Sequence, residues 1–510
     1  MHVFGRRDVE FSSIACGAGL CVGILIWWRR RRDEKRSSIP DAVGGLPLLG
    51  HALQYKKDPS RCIQRQEQLV GKVFYMNLAG RRMLVVGSDA AVMRQIAQQP
   101  TTVLSAQRAV ADIGFEYTLG PTNVYKGTTW HKRILKNEIM EGQKFEAFLP
   151  TMFRSLQRAI DQQISDQEKF TSLDATSFPD IFKLVRKSML QAVLDVFVSP
   201  VLLKKDPHLL DALMIFQDFV EETTASAAVL PSFLALPLCL WPAARSRRRV
   251  VGRIAKVLYA IDEKEAQLDG PWIRAFKSEA IGPKEIAEYV VGLVFAAHKN
   301  PAIGAAQCFC FLKSVDRRWQ RCAHEEAKNL ERSLHDLSKG TVEPGRAVSA
   351  LLSANTLRRC VLETVRMTAH TLGALRYVLA PVQIQSEGSP GSAFTIPQGV
   401  TIAVAHNSMH MQESTWGKDA SKFRLDRSEW LDRTEDLAPP VDSYKLTTFS
   451  HGLHKCPGEK LALAMMQMAL ALLLLREGSL TEVPPLSFIR ATLAQRDGPV
   501  PISFPKTCIA

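Results

Sequence analysis

The order of apolar and polar residues predicts a mainly helical chain with a few short strands. From Asp89 onward most of the sequence is typical of helix. Val73–Val86 is rich in strand-forming residues on both sides of Gly80, which predicts two strands there. Short strands are also expected near Val382–Ile384 and Thr395–Ile396. We therefore expect a mainly α fold with small β-sheets and no internal repeats.

An uncharged run near the N-terminus predicts a membrane anchor. Phe11–Trp28 has 18 residues without a charge, which is just long enough to cross a bilayer as a helix. Arg29–Arg36 follows with six basic and two acidic residues, and this charge excess places the rest of the chain in the cytosol. The alternative is a cleaved signal peptide, but no small-residue cleavage site precedes the arginines. Residues 1–36 are therefore predicted to be an anchor.

The remaining sequence divides into a linker and one large domain. Residues 37–52 contain prolines and glycines that break helices, which predicts a hinge, and residues 53–510 form one predicted large domain. Within that domain Val229–Pro242 is strongly apolar but too short and too rich in proline to span a membrane. Because Arg245–Arg249 follows it, we expect a surface that enters one leaflet. A buried loop is the alternative.

Charge and cysteine content exclude several classes of protein. The net charge is +14, which suits nucleic acid or an anionic membrane. The basic clusters directly follow apolar runs, and there is no zinc-finger spacing, so we expect a lipid partner and no nucleic acid. Ten cysteines in 510 residues show no repeated pairs, which indicates reduced thiols rather than a disulfide scaffold.

A single cysteine near the C-terminus carries the chemistry. Cys456 lies in a glycine-punctuated loop directly before the apolar run Leu461–Leu475. Amides at the start of the following helix are expected to lower the pKa of the thiol and to bond to sulfur. Gly452 and Gly458 allow backbone to pass close to a large flat ligand. This arrangement suits the axial ligand of a haem iron, although a buried structural cysteine is the alternative.

The loop resembles the haem-binding loop of the cytochrome P450 family, with Phe449, Gly452, His454, Cys456 and Gly458 at its motif positions. The resemblance implies the P450 fold, haem b as the cofactor and Cys456 as the axial ligand of the iron.

Charged residues elsewhere match further features of that family. Glu363 and Arg366 lie three apart on one predicted helix face within an apolar stretch, and Arg427 follows later in the chain. They resemble the family's Glu–Arg–Arg triad, which implies a structural role. The resemblance also implies haem contacts at Arg376, His454, Trp130, Arg133 and Tyr125, the last three from an imperfect match.

A predicted helix beginning near Pro283 resembles the oxygen-activating helix of the family. Lys299 stands where an acid is expected and Asn300 where a threonine is expected, as asparagine does in some members of the sterol and lipid branch. Pro301 lacks an N–H, so the carbonyl of Ala297 loses its helical partner and can hold a water. Asn300, Ala297 and His298 are the predicted catalytic residues; a simple kink at the proline is the alternative.

The resemblance implies a monooxygenase that uses O₂ and electrons from NADPH–cytochrome P450 reductase, with cytochrome b5 as an optional second donor. The reductase is expected to dock near Lys455 and Lys460. The implied setting is the endoplasmic reticulum membrane, with one span and the catalytic domain in the cytosol. The implied substrate is a hydrophobic, steroid- or triterpenoid-like molecule in fungal biosynthesis. Two alternatives stay open: a reductase-independent isomerase or dehydratase, and a haem-binding membrane protein without turnover.

Overall fold

The computed structural model describes residues 38–47, 49–120, 133–169, 175–230, 232–337, 345–385, 393–431, 436–442, 444–489 and 493–506. The predicted anchor and two predicted haem contacts, Tyr125 and Trp130, lie outside these ranges. No helix within the described part of the chain combines the length and the hydrophobicity that crossing a bilayer requires. The anchor therefore stays a prediction.

Helices make up most of the described chain, as the sequence predicts. In chain order they are α1 (Ala52–Lys57), α2 (Pro59–Val70), α3 (Ala90–Ala97), α4 (Ala106–Asp112), α5 (Phe115–Thr118), α6 (Gly142–Glu168), α7 (Ile181–Val193), α8 (Val201–Lys205), α9 (Leu209–Ala228), α10 (Ser232–Ala235), α11 (Trp241–Tyr259), α12 (Glu263–Ala266), α13 (Pro271–Ser278), α14 (Pro283–Ser314), α15 (Arg317–Leu337), α16 (Arg346–Ser353), α17 (Asn355–Met367), α18 (His406–His410), α19 (Glu413–Trp416) and α20 (Glu459–Leu475). Stretches of π-helix occur at Leu135–Met140, Leu194–Val198 and Leu236–Leu240, and 3₁₀ turns at Ser428–Trp430, Thr447–Phe449 and Gly452–His454.

Four small sheets contain the described strands. They are β1 (Val73–Leu78), β2 (Arg81–Val86), β3 (Leu104–Ser105), β4 (Ala175–Phe178), β5 (Leu372–Val378), β6 (Val382–Gln385), β7 (Ala393–Ile396), β8 (Thr401–Ala405), β9 (Ser479–Leu480), β10 (Leu486–Ser487), β11 (Gln495–Arg496) and β12 (Ile502–Pro505). The largest sheet has the order β1-β2-β8-β5-β3; the others are β4-β12-β9, β6-β7 and β10-β11. All strands of the largest sheet pair antiparallel except β2 and β8.

The predicted strands are confirmed. β1 and β2 form a hairpin in which Val73 pairs with Val86 and Leu78 with Arg81, and the turn between them contains Gly80 at a φ of 86°. Glycine suits this turn because a positive φ carries no steric penalty without a Cβ. β6 and β7 form the second predicted pair. The hinge packs on this region, since the amide of Tyr75 donates to the carbonyl of Pro40 at 2.9 Å.

The long helix α14 is the centre of the core. It begins at Pro283, which is confirmed as a helix start, and it packs against α7, α11, α17 and α20. Pro301 lies inside the helix, and the helix continues beyond it to Ser314. Its neighbours bury the whole of the stretch from Pro301 to Leu312 on every side. Tertiary packing thus holds the helix across the proline.

The apolar segment Val229–Pro242 is not a buried loop. It contains α10, the π-helical turn Leu236–Leu240 and the first residues of α11. Leu238 is 64% exposed and Trp241 is 58% exposed, which excludes burial as the alternative for these side chains. The segment therefore presents large apolar groups at the surface.

A side chain from a neighbouring helix caps α17, the helix that carries Glu363. The residue before α17, Ala354, has no side chain that can accept a hydrogen bond. Instead, the carboxylate of Glu326 on α15 accepts from the amides of Thr356 at 2.7 Å and Leu357 at 3.0 Å, and from the Thr356 hydroxyl at 2.8 Å. The first amides of a helix lack partners within the helix, so Glu326 supplies them.

Replacing Glu326 with alanine should lower the free energy of unfolding by about 1–2 kcal/mol, because the amides at the start of α17 lose their acceptor. Denaturant titration measures this difference. Glu325→Ala is the matched control, since its exposed side chain forms only a surface ion pair with Lys328. Equal stability of the Glu326 variant and the control would show that the cap contributes nothing.

Candidate functional site

Glu363 on α17 is fully buried and lies at the centre of a charge network. Its carboxylate accepts from Nε and Nη2 of Arg366 at 2.9 and 2.7 Å and from Nε of Arg427 at 2.8 Å. It also accepts from the amide of Arg424 at 3.1 Å and from the indole N–H of Trp430 at 3.0 Å. A buried carboxylate is tolerated only when it is paired and hydrogen-bonded, and this one is. The structure thus brings the predicted triad together.

The two arginines bind backbone carbonyls with their remaining N–H groups. Arg366 reaches the carbonyls of His410 at 2.7 Å and Ala420 at 2.6 Å. Arg427 reaches those of Trp416 at 2.9 Å, Asp419 at 2.7 Å and Lys422 at 2.9 Å. The network therefore fixes the path of segment 416–422 as well as the charges themselves.

His410 connects this network to the cysteine loop. Its Nε2 accepts the amide proton of Thr447 at 2.8 Å, so the neutral ring carries its proton on Nδ1, which donates to the carbonyl of Arg366 at 2.9 Å. Burial lowers the pKa of His410 to about 3, which keeps the ring neutral. The hydroxyl of Thr447 also lies 2.7 Å from Nδ1 of His406. The only sequence signal for this link is the i,i+4 spacing of the two histidines.

Further hydrogen bonds shape the loop that ends at Cys456. The hydroxyl of Thr448 donates to the carbonyl of Val365 on α17 at 2.8 Å. The amide of Cys456 donates to the carbonyl of Phe449 at 2.7 Å and closes the loop. Ser450 has a φ of 58°, an unfavourable value for a residue with a side chain. The loop is therefore tied to α17 at its start and closed at the cysteine.

The two motif glycines differ in what the protein demands of them. Gly452 has a φ of 61°, and a Cβ there would lie 2.7 Å from the carbonyl oxygen of Ala97. The close approach of α3 therefore requires a glycine. A Cβ at Gly458 would meet only Sγ of Cys456, at 4.0 Å. No described protein atom requires glycine at that position.

The protein around Cys456 changes the pKa of its thiol. The residue is exposed, yet burial is the largest cause that raises the pKa of its thiol. The amide of Gly458 hydrogen-bonds to the sulfur and lowers the pKa, but by less than burial raises it. The predicted net lowering is therefore wrong for the protein alone; a coordinated metal ion deprotonates a thiol outright.

Arg376 is a half-buried cation without an acidic partner among the described residues. Burial lowers the pKa of its guanidinium to about 10, and its one described hydrogen bond goes to the carbonyl of Leu375 at 2.7 Å. No acidic side chain of the described ranges lies within ion-pair distance of it. A carboxylate of a bound ligand would supply this guanidinium with a counter-charge.

Two other predicted haem contacts, Arg133 and His454, lie at least partly within the described residues. Arg133 is half-exposed and forms an ion pair with Glu279, so its guanidinium already has a carboxylate partner. The backbone of His454 belongs to the 3₁₀ turn Gly452–His454, and its side chain lies outside the described positions. Arg133 therefore binds an acid of the protein itself, while ligand contacts by Cys456, Arg376 and His454 stay predictions.

Neutral histidines surround Arg376. Burial lowers the pKa of His370 and of His451 to about 4, and that of His406 well below its ordinary value. The rings of His370 and His406 lie 4.6 Å apart. All three histidines stay uncharged at neutral pH. Among these four side chains, the guanidinium of Arg376 therefore carries the positive charge.

The helix α14 has one open position in its buried middle. Ala296 and Asn300, four residues apart on one face, are exposed, and Ala297 beside them is half-buried. His298 is fully buried, and its Nδ1 lies 2.7 Å from the carbonyl of Val294. The structure thus places Asn300 and Ala297 on an open face and His298 off it.

Lys299 on α14 forms an ion pair with an acid from a neighbouring helix. Its ammonium is buried and reaches Oε2 of Glu221 on α9 at 2.7 Å and the carbonyl of Gln217 at 3.3 Å. Asp218, paired with Arg186 at 2.6 Å, lies 3.8 Å away. Burial lowers the pKa of Lys299, and Glu221 partly restores it. The acid that the sequence lacks on α14 is thus present on a neighbouring helix, which the sequence does not predict.

Comparisons with known proteins place this site in a family. A sequence model of the cytochrome P450 family matches residues 40–477. The chain belongs to the cytochrome P450 family. It is 22% identical to cytochrome P450 720B2 of Pinus taeda, over 88% of this chain and 86% of that protein. It is 20% identical to the lanosterol 14-alpha demethylase of Mus musculus, over 83% and 79%. A shorter match, 27% identical over 38% and 34%, joins it to cytochrome P450 monooxygenase apf7 of Gibberella fujikuroi.

Membership settles the enzyme class and the cofactor. The chain is a P450 monooxygenase with the mainly helical P450 fold, and its cofactor is haem b. Two features of the site fit that group independently of the comparisons. The thiol of Cys456 is exposed at the closed end of its loop, and Arg376 is a half-buried cation without an acidic partner among the described residues, whereas the propionates of haem carry carboxylates.

Arg427→Ala should lower the free energy of unfolding by about 3–5 kcal/mol and yield haem-poor protein, because it leaves the buried Glu363 carboxylate undercompensated. Denaturant titration and haem content measure the two effects. Arg424→Ala is the matched control, because that side chain is 45% exposed and bonds to surface acids. Normal haem uptake by Arg427→Ala would remove Arg427 from the network.

Acid should destabilise the protein through His410. Its pKa is about 3 in the folded state and about 6.5 when unfolded, so the stabilising neutral form is fully present above pH 6.5. Stability is lost as pH falls below 6.5, by up to about 1.4 kcal/mol per pH unit. His410→Gln should flatten this dependence, measured by denaturant titration between pH 6.5 and about pH 5. His335→Gln, at an exposed histidine, should leave the pH dependence of stability unchanged. If stability depends on pH with the same slope in both variants and in wild type, the effect does not come from His410.

Proposed function

We propose that the chain is a membrane-attached haem-thiolate monooxygenase in which Cys456 ligates the iron. The observation that supports this most strongly is an exposed thiol at the closed end of a loop, directly before the buried helix α20. The bound haem would supply the reductive activation of O₂ for insertion of one oxygen atom into a C–H bond. The protein's own residues position the ligands and manage protons.

The proposed haem contacts come from three parts of the chain. Cys456 ligates the iron, Phe449, Gly452, His454 and Gly458 shape the loop around it, and Arg376 pairs with a propionate. Glu363, Arg366 and Arg427 hold that loop without touching the haem. Arg133 is left out of these contacts because its guanidinium binds Glu279. Tyr125 and Trp130 stay predictions.

Asn300 is proposed to organise water on the oxygen side. Its amide can donate and accept hydrogen bonds, so it can hold a water, although it has no proton to give. Pro301 leaves the carbonyl of Ala297 without its helical donor, which provides a second acceptor on the same open face. His298 is not part of this proposal, because it is buried on another side of the helix.

The proposed substrate is a hydrophobic small molecule of the steroid or triterpenoid kind, in a fungal biosynthetic pathway. The similarity to a lanosterol demethylase and the shorter similarity to a monooxygenase of Gibberella fujikuroi support this choice. The exposed apolar segment Val229–Pro242 supports entry from a lipid phase.

The proposed setting is the endoplasmic reticulum membrane, with the anchor 1–36 as a single span and the catalytic domain in the cytosol. Members of the family generally take electrons from redox partners. We propose NADPH–cytochrome P450 reductase, with cytochrome b5 as an optional second donor, near Lys455 and Lys460. These lysines pair with Glu459 at 2.8 Å and Asp436 at 2.5 Å. The pair of Lys460 and Asp436 lies at the surface and is weak, so a partner can replace it.

Cys456→Ala should abolish both the red-shifted Soret band of the reduced carbon monoxide complex and NADPH-dependent turnover, because thiolate ligation produces that band. Absorption spectra of the reduced protein with carbon monoxide measure the first effect. Cys322→Ala is the control, since Cys322 is also exposed but lies on α15. A normal thiolate spectrum in Cys456→Ala would overturn the ligand assignment.

Asn300→Ala should keep haem and substrate binding but release electrons as hydrogen peroxide, because a water anchor is lost. Asn300→Thr should keep substantial coupling. The ratio of product to NADPH consumed, measured in wild type and both variants, tests this. No NADPH consumption at all, with rearrangement of a supplied peroxide, would favour the isomerase or dehydratase. A substrate-induced spectral shift without any product would favour a non-catalytic haem protein.

A further inference from the structure

A surface groove lies between α9, the π-helical turn Leu236–Leu240 and α11. Its volume is about 600 Å³, within the range of small-molecule sites. Phe219, Pro237 and Trp241 form its apolar wall, and Arg245, Ser246 and Arg249 form its polar edge. The groove therefore offers an apolar surface and two guanidinium groups to one occupant.

The arginines of the groove have no counter-charges. Among the described residues, no acid lies within ion-pair distance of Arg245 or Arg249, and both are exposed. By contrast, Arg247 and Arg253 on the same helix pair with Glu288 and Asp206. The helix thus neutralises the arginines that face the protein and leaves those at the groove uncompensated.

The spacing of the groove residues on α11 places the two guanidinium groups on one side of the helix. Trp241, Arg245 and Arg249 lie at i, i+4 and i+8, which places them along one ridge of α11. Arg248 is equally exposed and equally unpaired but does not line the groove. Guanidinium groups bind phosphate oxygens in bidentate geometry, and the hydroxyl of Ser246 can donate one more hydrogen bond.

The surroundings favour an amphipathic occupant over a free anion. Leu234 and Leu238 are exposed next to the groove, in the same chain segment as Trp241. Cys239 of that segment lies close enough to Lys56 of α1 for an electrostatic interaction, and Leu53 on α1 is exposed as well. Free phosphate would use the arginines alone, whereas a lipid uses the apolar wall and this apolar rim too.

We propose that the groove binds the phosphate headgroup of an anionic phospholipid, with its acyl chains against Trp241 and Phe219. Arg245 and Arg249 bind the phosphate, and Ser246 donates to it. The site recognises a particular headgroup charge and goes beyond general membrane attachment. It does not depend on haem or on turnover.

The test uses the full-length protein in a neutral detergent, titrated with a fluorescent short-chain phosphatidic acid and followed by anisotropy. Binding should be saturable. Arg245→Gln and Arg249→Gln should each weaken it by at least about tenfold, as expected when a hydrogen bond to a charged group is lost. Arg248→Gln removes the same charge from the same helix outside the groove and should change affinity by less than about twofold.

Equal weakening in all three variants, weakening in none, or equal competition by a phosphatidylcholine analogue would each overturn the proposal. Competition by inorganic phosphate at the lipid's own concentration would show a free-anion site instead, which also contradicts it. Haem content and denaturant titration check that each variant is folded; if one does not accumulate, the other groove variant carries the comparison. Because lipid binding is measured, failure leaves the monooxygenase assignment intact.

Discussion

The burial of three charges at Glu363, Arg366 and Arg427 is the constraint on which the rest of the site depends. Charges inside a protein are tolerated only with full pairing and hydrogen bonding, and here the donors and acceptors come from α17 and from segment 416–430. Satisfying this network leaves little freedom in the backbone around it. The network therefore fixes the backbone of segment 416–422, whose carbonyls its arginines bind.

Hydrogen bonds of the neutral His410 connect this charge network to the loop that carries Cys456. Arg366 donates to the carbonyl of His410 and accepts from its ring, and the same ring accepts the amide of Thr447. From Thr447 the chain turns through Ser450 and closes on Cys456. Because His410 is buried and neutral, it fixes the position of the Thr447 backbone and adds no charge to the loop. The thiol is thus held in place by a chain of hydrogen bonds that starts at a carboxylate 93 residues earlier in the sequence.

The sequence predicted those parts of the structure that depend on local patterns. Pro283 marked the start of α14, Gly80 marked a hairpin, and the spacing of Glu363 and Arg366 marked one helix face. It did not predict groups that meet only through tertiary packing. Glu221 pairs with Lys299 from another helix, Glu326 caps α17 from α15, and Thr447 binds a histidine 37 residues away. The raised pKa of Cys456 was also missed, because burial outweighs the helix amides.

The most direct test of this account is the carbon monoxide spectrum of His410→Leu, which keeps a side chain of similar size in this buried position and removes the ring that joins the carbonyl of Arg366 to the amide of Thr447. If hydrogen bonds from α17 and α18 position the thiolate, haem should still bind, while the red-shifted thiolate band should fall in favour of the band of a neutral thiol. An unchanged thiolate spectrum and unchanged stability would show that the loop holds Cys456 without these contacts, and would contradict the account.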